Sequence, residues 1–287
     1  MATFQNQATI TFGGVTRASN ITVGEIVDAV CIVKTATPGT YAQGSRITYV
    51  VNIQNTGDTP LTGLTVTDDL GAYESDGDTT EKVTVLPLTY VDGSALLFTD
   101  GVEGPAPEVT AGSTLTFEGI DVPANGVATL VYLADANEYA PLGEGGQIEN
   151  TATVTGAGVT GEVSDSAVVT AETAADLSIV KSVSPTVVTE NSRVTYTFEV
   201  ENTGAATTEE DGVVIRDTFS PILTDLVVTL DGVTLTPDQY TYDETTGEFA
   251  TGDGVLSIPG ATYAQDPATG VWTADPGTAT LTVSGII

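Results

Sequence analysis

A few polar side chains of this sequence lie on strands that are otherwise apolar, and their chemical types could support a reaction. Because side chains two residues apart share a face of a strand, Lys34 lies with Val30 and Ile32. Asp68 and Asn150 lie on apolar faces in the same way. Burial favours the neutral form of an amine, which is a nucleophile, and the protonated form of a carboxylic acid, which can polarise an amide carbonyl. An amine, an acid and an amide that meet in one core could therefore react.

The lysines are few, and two of them occupy equivalent places. Only Lys34, Lys82 and Lys181 occur, and the first and third each end an I-V-K segment, at 32–34 and 179–181. The ordinary interpretation is a lysine whose stem packs against the core while its amine reaches water or pairs with an acid.

Composition excludes several classes of function. The chain of 287 residues carries 39 acidic and 7 basic residues, a formal net charge of −32, which would repel nucleic acids and anionic lipids. Histidine is absent and cysteine occurs once, so zinc fingers, His-based triads and disulfide frameworks are excluded. No segment approaches the roughly 18 apolar residues of a membrane span, and the N-terminus lacks the pattern of a secretory signal peptide. We expect no cofactor, no nucleic-acid partner and no enzymatic activity on other molecules.

Alternation of apolar and polar residues dominates the chain and predicts strands, as in RITYVVNIQ (46–54) and VATLVYL (127–133). Clusters of Gly, Pro, Asn and Asp separate the strands, and Asp-Gly pairs at 92–93 and 231–232 suit tight hairpins. No segment has a convincing helical pattern. The sequence predicts an all-β fold of antiparallel, immunoglobulin-like sandwiches.

The strands belong to two copies of one pattern. The recurring motifs are S-R-x-T-Y at 45–49 and 192–196, N-T-G at 55–57 and 202–204, V-T-D at 66–68 with I-R-D at 215–217, and GVATL at 126–130 with GTATL at 277–281. We therefore predict a tandem duplication. Repeat 1 occupies residues 24–172 and repeat 2 occupies residues 173–287, after an N-terminal segment at 1–23.

The two repeats are predicted to end differently. After VATLVYL, repeat 1 continues to the strand IENTATVT at 148–155, whereas repeat 2 reaches Ile287 soon after its TATLTV strand. Residues 4–11 have the pattern of 148–155. We expect that repeat 2 lacks its last strand and that the equivalent strand lies at the N-terminus.

Together these motifs resemble the prokaryotic conserved surface repeat catalogued as domain of unknown function eleven. The resemblance covers nearly the whole chain in two copies. It implies immunoglobulin-like modules strung along cell-surface, fibrous or spore-associated proteins. Related Gram-positive pilin and adhesin sandwiches carry autocatalytic Lys–Asn isopeptide bonds, so the same chemistry is an expectation here.

An isopeptide bond of this kind in repeat 1 would join Lys34 to Asn150, with Asp68 as the acid. The corresponding residues of repeat 2 are Lys181, Asp217 and, at the N-terminus, Asn6. A bond between Lys181 of one subunit and Asn6 of another would join subunits covalently.

The N-terminal strand is predicted to be a donor strand. One face of it carries Phe4, Asn6, Ala8, Ile10 and Phe12. Filling the open second repeat of another subunit would complete that sandwich by β-strand addition. Return to its own chain is strained because residues 24–29 span only about 20 Å. A head-to-tail contact that does not close gives an open filament, and the alternative is a strand that pairs with an edge of repeat 1.

Two further features are weaker candidates for a site. Asp76, Asp78 and Glu81 lie in an acidic loop whose oxygens suit calcium, although a solvated loop is the simpler interpretation. Cys31 alternates with the apolar face of its strand, so it should point outward, either as a passive thiol or in an intermolecular disulfide.

The sequence thus predicts a structural subunit of an extracellular filament at a cell or spore surface, which polymerises with copies of itself. The alternative is a monomeric adhesin or S-layer-like module that binds calcium or glycans.

Overall fold

A computed structural model of the chain describes residues 2–26, 29–75 and 82–287. The described part begins with a hairpin of β1 (Ala2–Phe12) and β2 (Val15–Ile26), which pair with each other in a two-stranded antiparallel sheet. Gly13 and Gly14 form the turn with φ of +56° and +79°, a conformation that glycine adopts without steric cost. The N-terminal segment expected to act as one donor strand is therefore a hairpin, because these two glycines reverse the chain.

The chain divides into two compact units, with the main division after Val169. Residue 75, residues 82–83 and residues 141–147 group with the second unit. The predicted repeat boundaries stay predictions.

The first unit is a sandwich of two sheets. Its strands are β3 (Val30–Thr37), β4 (Thr40–Tyr41), β5 (Arg46–Asn55), β6 (Leu61–Asp68), β7 (Tyr73–Glu74), β8 (Thr84–Val85), β9 (Leu88–Tyr90), β10 (Leu96–Thr99), β11 (Val102–Glu103), β12 (Glu108–Ala111), β13 (Leu115–Val122), β14 (Val127–Ala136), β15 (Gln147–Thr155) and β16 (Val163–Ala171). One sheet has the order β11-β10-β14-β5-β3, with β9 also beside β14, and the other has the order β12-β13-β6-β15-β16-β4. The strands β7 and β8 form a small separate hairpin.

Alternation of burial along these strands gives the first unit its core. On β5 the side chains of Ile47, Tyr49, Val51 and Ile53 are fully buried, and the residues between them are half-buried. The strand β14 alternates in the same way, with Tyr132 among its buried side chains. The core therefore lies between the two sheets, as the period of two predicts.

The second unit is a smaller assembly of strands. These are β17 (Leu177–Ser184), β18 (Arg193–Asn202), β19 (Arg216–Thr218), β20 (Thr224–Leu230), β21 (Val233–Thr234), β22 (Tyr240–Tyr242), β23 (Glu248–Thr251), β24 (Thr262–Gln265), β25 (Trp272–Asp275) and β26 (Gly277–Ile286), with one turn of 3₁₀ helix at Glu209–Asp211. One sheet has the order β17-β18-β26-β20-β21, a second has the order β19-β23-β22, and β24 pairs with β25. The predicted all-β, immunoglobulin-like fold class is confirmed.

The N-T-G motif closes a loop in the same way in both units. Asn55 is buried, and its Nδ2 donates to the carbonyls of Thr59 (2.8 Å) and Pro123 (3.0 Å), while its Oδ1 accepts from the N–H of Gly57 (3.0 Å). The equivalent partners of Asn202 are Ala205 (2.6 Å), Pro259 (3.0 Å) and Gly204 (3.0 Å). The motif therefore repeats because a buried asparagine satisfies backbone groups that no strand pairs.

Within the described residues, no helix has both the length and the apolar character needed to cross a membrane.

Candidate functional site

Lys34 and Asp68 form a buried ion pair between the two sheets of the first unit. Lys34 lies on β3 and Asp68 at the end of β6, which belong to different sheets. The distance from Lys34 Nζ to Asp68 Oδ2 is 2.7 Å, and neither side chain has exposed surface. The main-chain N–H of Lys34 also donates to Oδ2 of Asp165 at 2.7 Å, which ties β3 to β16.

A tyrosine hydroxyl completes the surroundings of this acid. Tyr132, from β14, donates its hydroxyl hydrogen to the same Oδ2 atom of Asp68 that Lys34 contacts. The other oxygen, Oδ1, accepts from the main-chain N–H of Leu70 at 3.0 Å. Asp68 is fully buried, and both of its carboxylate oxygens accept hydrogen bonds.

The amide of Asn150 joins the same group. Asn150 lies on β15, next to β6, and its Nδ2 donates to the Tyr132 hydroxyl at 3.3 Å. Its Oδ1 is buried and has no hydrogen-bond partner. The structure thus places the predicted amine against the acid, and both the acid and the predicted amide against one tyrosine hydroxyl. We call Lys34, Asp68, Tyr132 and Asn150 the first-unit cluster.

Burial sets the protonation states in this cluster. Desolvation lowers the pKa of Lys34, although the carboxylates of Asp68, Asp69 and Asp165 act in the opposite direction. Burial also raises the pKa of the Tyr132 hydroxyl, and the neighbouring charge of Asp68 raises it further. Burial therefore makes the neutral amine easier to reach than it is in water, and it favours the neutral phenol, because an uncompensated charge in this core is costly.

Tyr49 adds a second phenol that the sequence analysis missed, as it missed Tyr132. The two rings lie opposite each other in the pairing of β5 with β14 and stack with centroids 5.4 Å apart. Lys34 Nζ lies 5.0 Å from the centroid of the Tyr49 ring. The alternation of RITYV and VATLVYL places both side chains in the core. That pattern is typical of packing, and it does not indicate where a hydroxyl points.

The second unit contains an equivalent lysine–aspartate pair that is partly exposed to solvent. Lys181 on β17 contacts Asp217 on β19, but 41% of the lysine side chain and 17% of the aspartate side chain remain exposed. Three rings lie beside Lys181 Nζ, with centroids at 4.7 Å (Tyr196), 5.5 Å (Phe198) and 5.5 Å (Phe219). The amine therefore has an acid and aromatic surroundings.

Asn6, the predicted third member of this second set, lies on β1 opposite Thr22 of β2. The donor-strand face to which it belongs is exposed: Phe4 is 58%, Ile10 69% and Phe12 88% accessible, and Ala8 is exposed as well. The ring of Phe4 lies against Gly24, where a Cβ atom would meet its Cζ at 2.3 Å. The hairpin thus presents apolar side chains without a core to bury them.

The remaining sequence candidates lie apart from these clusters. Cys31 is exposed on β3, and its Sγ donates to Oε1 of Gln54 at 3.6 Å. The calcium candidates Asp76, Asp78 and Glu81 lie outside the described residues. Across residues 2–26, 29–75 and 82–287, no group of three or more His, Cys, Asp or Glu side chains could hold a metal ion.

Comparison with known proteins finds similarity of fold. No family model and no curated protein matches the sequence. Similar solved structures include immunoglobulin-like subunits of Gram-positive pili. The pilus backbone RrgB from Streptococcus pneumoniae is 10% identical with a TM-score of 0.35, over 86% of this chain and 55% of that chain. The C-terminal fragment of the major pilin GBS80 of Streptococcus agalactiae is 14% identical with a TM-score of 0.35, over 80% and 78%. The major pilin subunit BcpA of Bacillus cereus is 14% identical with a TM-score of 0.34, over 96% and 73%. At these identities the similarity concerns the fold alone.

Proposed function

We propose that this protein is a structural subunit of a filament at a cell or spore surface. In this proposal the N-terminal hairpin of one copy completes the second unit of the next copy. An isopeptide bond joins Lys34 to Asn150 within the first unit, and a second one joins Lys181 to Asn6 of the neighbouring copy. The observation that carries the proposal is the difference between β3 and β17, two equivalent strands of which one is covered and the other is open.

The strand β3 is covered by its own unit. Its side chains alternate between buried and exposed, with Val30, Ile32 and Lys34 on the buried face. The equivalent strand β17 is exposed along both faces, and Ile179 is 54% accessible. An apolar face that stays open to water costs free energy in proportion to its area, so a second copy that covers β17 would be bound favourably.

The sheet opposite β17 also has a vacant edge. In the first unit β6 lies between β13 and β15, so Asp68 has a strand on each side. In the described part of the second unit, β19, which carries Asp217, pairs only with β23. Its free edge offers main-chain groups to an added strand.

The N-terminal hairpin matches the hairpin that the first unit uses at this edge. Residues 4–11 repeat the pattern of 148–155 on β15, and β2 follows β1 as β16 follows β15. The proposed donor is therefore a hairpin of two strands. Its first strand would pair with β19, and its face of apolar side chains would cover β17.

Head-to-tail addition of this kind gives an open filament, because donor and acceptor are different surfaces of the same chain. The formal net charge of −32 would keep filaments apart from one another. Isopeptide bonds would then make the filament resistant to unfolding, since the joined strands cannot separate.

The test compares the full chain with a chain that lacks residues 1–26. We expect the full chain to form filaments visible by electron microscopy and the shortened chain to remain monomeric. Two point variants on β1 provide a matched comparison. Ile10→Asp, on the donor face, should block assembly, whereas Thr9→Asp, on the opposite face, should not.

Mass spectrometry of the denatured material tests the covalent part. Each isopeptide bond releases one ammonia, so the first-unit bond should lower the mass of the shortened chain by one ammonia. Mixing isotope-labelled and unlabelled full chains should yield a peptide that pairs Asn6 of one chain with Lys181 of another. Filaments that persist without residues 1–26, or a full chain that stays monomeric at every concentration, would contradict the proposal. A monomer would instead favour an adhesin module.

A further inference from the structure

Two buried tyrosines, Tyr132 and Tyr49, lie in the core at the first-unit cluster. Tyr132 accepts a hydrogen bond from Asn150 Nδ2 at 3.3 Å. The Tyr49 hydroxyl is buried without a hydrogen-bond partner, as is the Oδ1 atom of Asn150. The ring of Tyr49 stacks on that of Tyr132 with centroids 5.4 Å apart, and Lys34 Nζ lies 5.0 Å from the Tyr49 centroid.

A buried hydroxyl and a buried amide oxygen that both lack partners in one core are unusual. Buried polar atoms are nearly always hydrogen-bonded, and each exception calls for an explanation. Here both atoms belong to the site at which the proposed bond would form. Reactive sites keep donors ready for charge that develops only in the transition state.

We propose that Tyr132 and Tyr49 are catalytic residues for the Lys34–Asn150 isopeptide bond. Tyr132 holds the departing amide nitrogen and the acid Asp68, and Tyr49 donates to the carbonyl oxygen of Asn150 as that oxygen gains charge. This inference rests on the intrachain bond of the proposed function.

The reaction balances without any further reagent. A proton moves from Lys34 Nζ to Asp68 Oδ2 along their 2.7 Å hydrogen bond, which converts a buried ion pair into a neutral amine and a neutral acid. The Nζ lone pair attacks Cγ of Asn150, a C–N bond forms, and the π electrons of the carbonyl move to Oδ1. The bond from Cγ to Nδ2 then breaks, and the nitrogen leaves as ammonia with one of the protons that Nζ loses. Nζ has then lost two protons: one has left with the ammonia by way of Asp68, and the other remains on Asp68, which ends as a neutral acid.

The second unit lacks half of this arrangement. The pairing of β18 with β26 places Val283 opposite Tyr196, where the first unit has Tyr132 opposite Tyr49. The donor face of β1 carries no tyrosine either. The bond between Lys181 and Asn6 should therefore form more slowly than the first-unit bond, so that each subunit is closed internally before it is joined to its neighbour.

The test follows bond formation as the full chain folds. The chain is made by cell-free translation, quenched with denaturant at intervals and analysed by mass spectrometry for the loss of ammonia from the first-unit peptides. Removal of one oxyanion donor slows comparable reactions by roughly 100-fold, and we expect a slowing of this order for Tyr49→Phe and for Tyr132→Phe.

Tyr90→Phe is the matched control. The Tyr90 hydroxyl is also buried, and its ring lies 6.5 Å from that of Tyr132, but it makes no hydrogen bond to Lys34, Asp68 or Asn150. This variant removes the same atom from the same core and should react at the wild-type rate.

Tyr49→Phe separates a role in the reaction from a role in folding. Its hydroxyl has no partner before the reaction, so its removal should leave the folding stability unchanged or raised. Stability is measured in the Asn150→Ala chain, which cannot form the bond. A slower reaction in a chain of undiminished stability supports the proposal.

The outcomes distinguish this inference from the function on which it rests. If the mass of the wild-type chain shows no loss of ammonia, the proposed bond between Lys34 and Asn150 does not form, and the proposed function fails at this point. If the wild-type chain reacts and both tyrosine variants react equally fast, only the tyrosine assignment is wrong. Faster bond formation at Lys181 than at Lys34 would also overturn the assignment, because the second unit has one of the two phenols.

Discussion

The amine of Lys34 lies 2.7 Å from the carboxylate of Asp68, and neither side chain has any exposed surface. The equivalent pair of the second unit is reached by water on both side chains. Loss of one partner should therefore cost more free energy in the buried pair than in the exposed pair, because the penalty for an unpaired charge grows steeply as water is removed.

Removal of one partner should therefore affect the two units very differently. In the Asn150→Ala background, Lys34→Met should lower the free energy of unfolding by about 3–5 kcal/mol, since Asp68 is left buried without a cation. The double variant Lys34→Met with Asp68→Leu should recover most of this loss. Lys181→Met is the control and should cost at most about 1 kcal/mol, because its pair is partly exposed. Urea unfolding followed by circular dichroism measures all three, and equal losses in both units would contradict the assignment of burial.

The open face of β17 predicts a second result. Ile179 and Val180 are neighbours, 54% and 62% exposed, on opposite faces of this strand. Ile179→Asp places a charge where a donated hairpin would pack and should prevent filament formation. Val180→Asp is the matched control and should assemble normally. Sedimentation of filaments measures both, and normal assembly by both variants would exclude β17 as the acceptor.

Alkaline pH should destabilise the first unit through its buried tyrosines. Burial raises the pKa of Tyr41, Tyr49 and Tyr132 above the ordinary value of 10.0. Above that value the unfolded chain loses these protons and the folded chain keeps them, so stability falls as pH rises. Lys34 has the opposite effect on stability, because its pKa is lowered in the folded chain. Below its ordinary pKa of 10.5 the unfolded chain still holds a proton that the folded chain releases more easily, so this group makes stability rise with pH there.

The measurement is the free energy of unfolding against pH above 10.5, in the Asn150→Ala chain. Each buried tyrosine contributes a slope of about 1.4 kcal/mol per pH unit. Tyr41→Phe should flatten the slope by that amount whatever it does to the absolute stability. An unchanged slope would show that Tyr41 titrates equally in the folded and unfolded chains.

The N-T-G loop of the second unit provides a fourth prediction. Asn202→Ala removes the partner of two carbonyls and two N–H groups and should lower the stability of this unit by about 2–4 kcal/mol. Thr203→Ala is the control, since its hydroxyl bonds Asp176 at the surface, and it should cost at most about 1 kcal/mol. Thermal unfolding measures both. A loss for Asn202→Ala no larger than for the control would mean that water replaces the side chain.

Strand alternation accounts for much of what could be predicted about the site. A side chain on the apolar face of a sandwich strand must point between the sheets, so the positions of Lys34, Asp68 and Asn150 followed from their neighbours two residues away. The tyrosines were missed for the same reason. A tyrosine on an apolar face is ordinarily interpreted as a residue that packs in the core. The direction of its hydroxyl depends on which side chains the opposite sheet presents.

The hairpin shows a different limit. The repeated pattern at residues 4–11 predicted an N-terminal strand, and the structure contains it as β1. The pairing of β1 with β2 was not anticipated, although Gly13 and Gly14 are the residues that a two-residue turn requires.

From its residues alone, this chain determines an all-β fold in two copies, because side-chain period and turn residues act locally and need no knowledge of distant partners. Only the tertiary structure decided that Lys34 is buried together with Asp68, whereas Lys181 and Asp217 are partly exposed to water. Burial depends on strands that are far apart in the chain, and two similar segments acquire different surroundings when only one of them is covered.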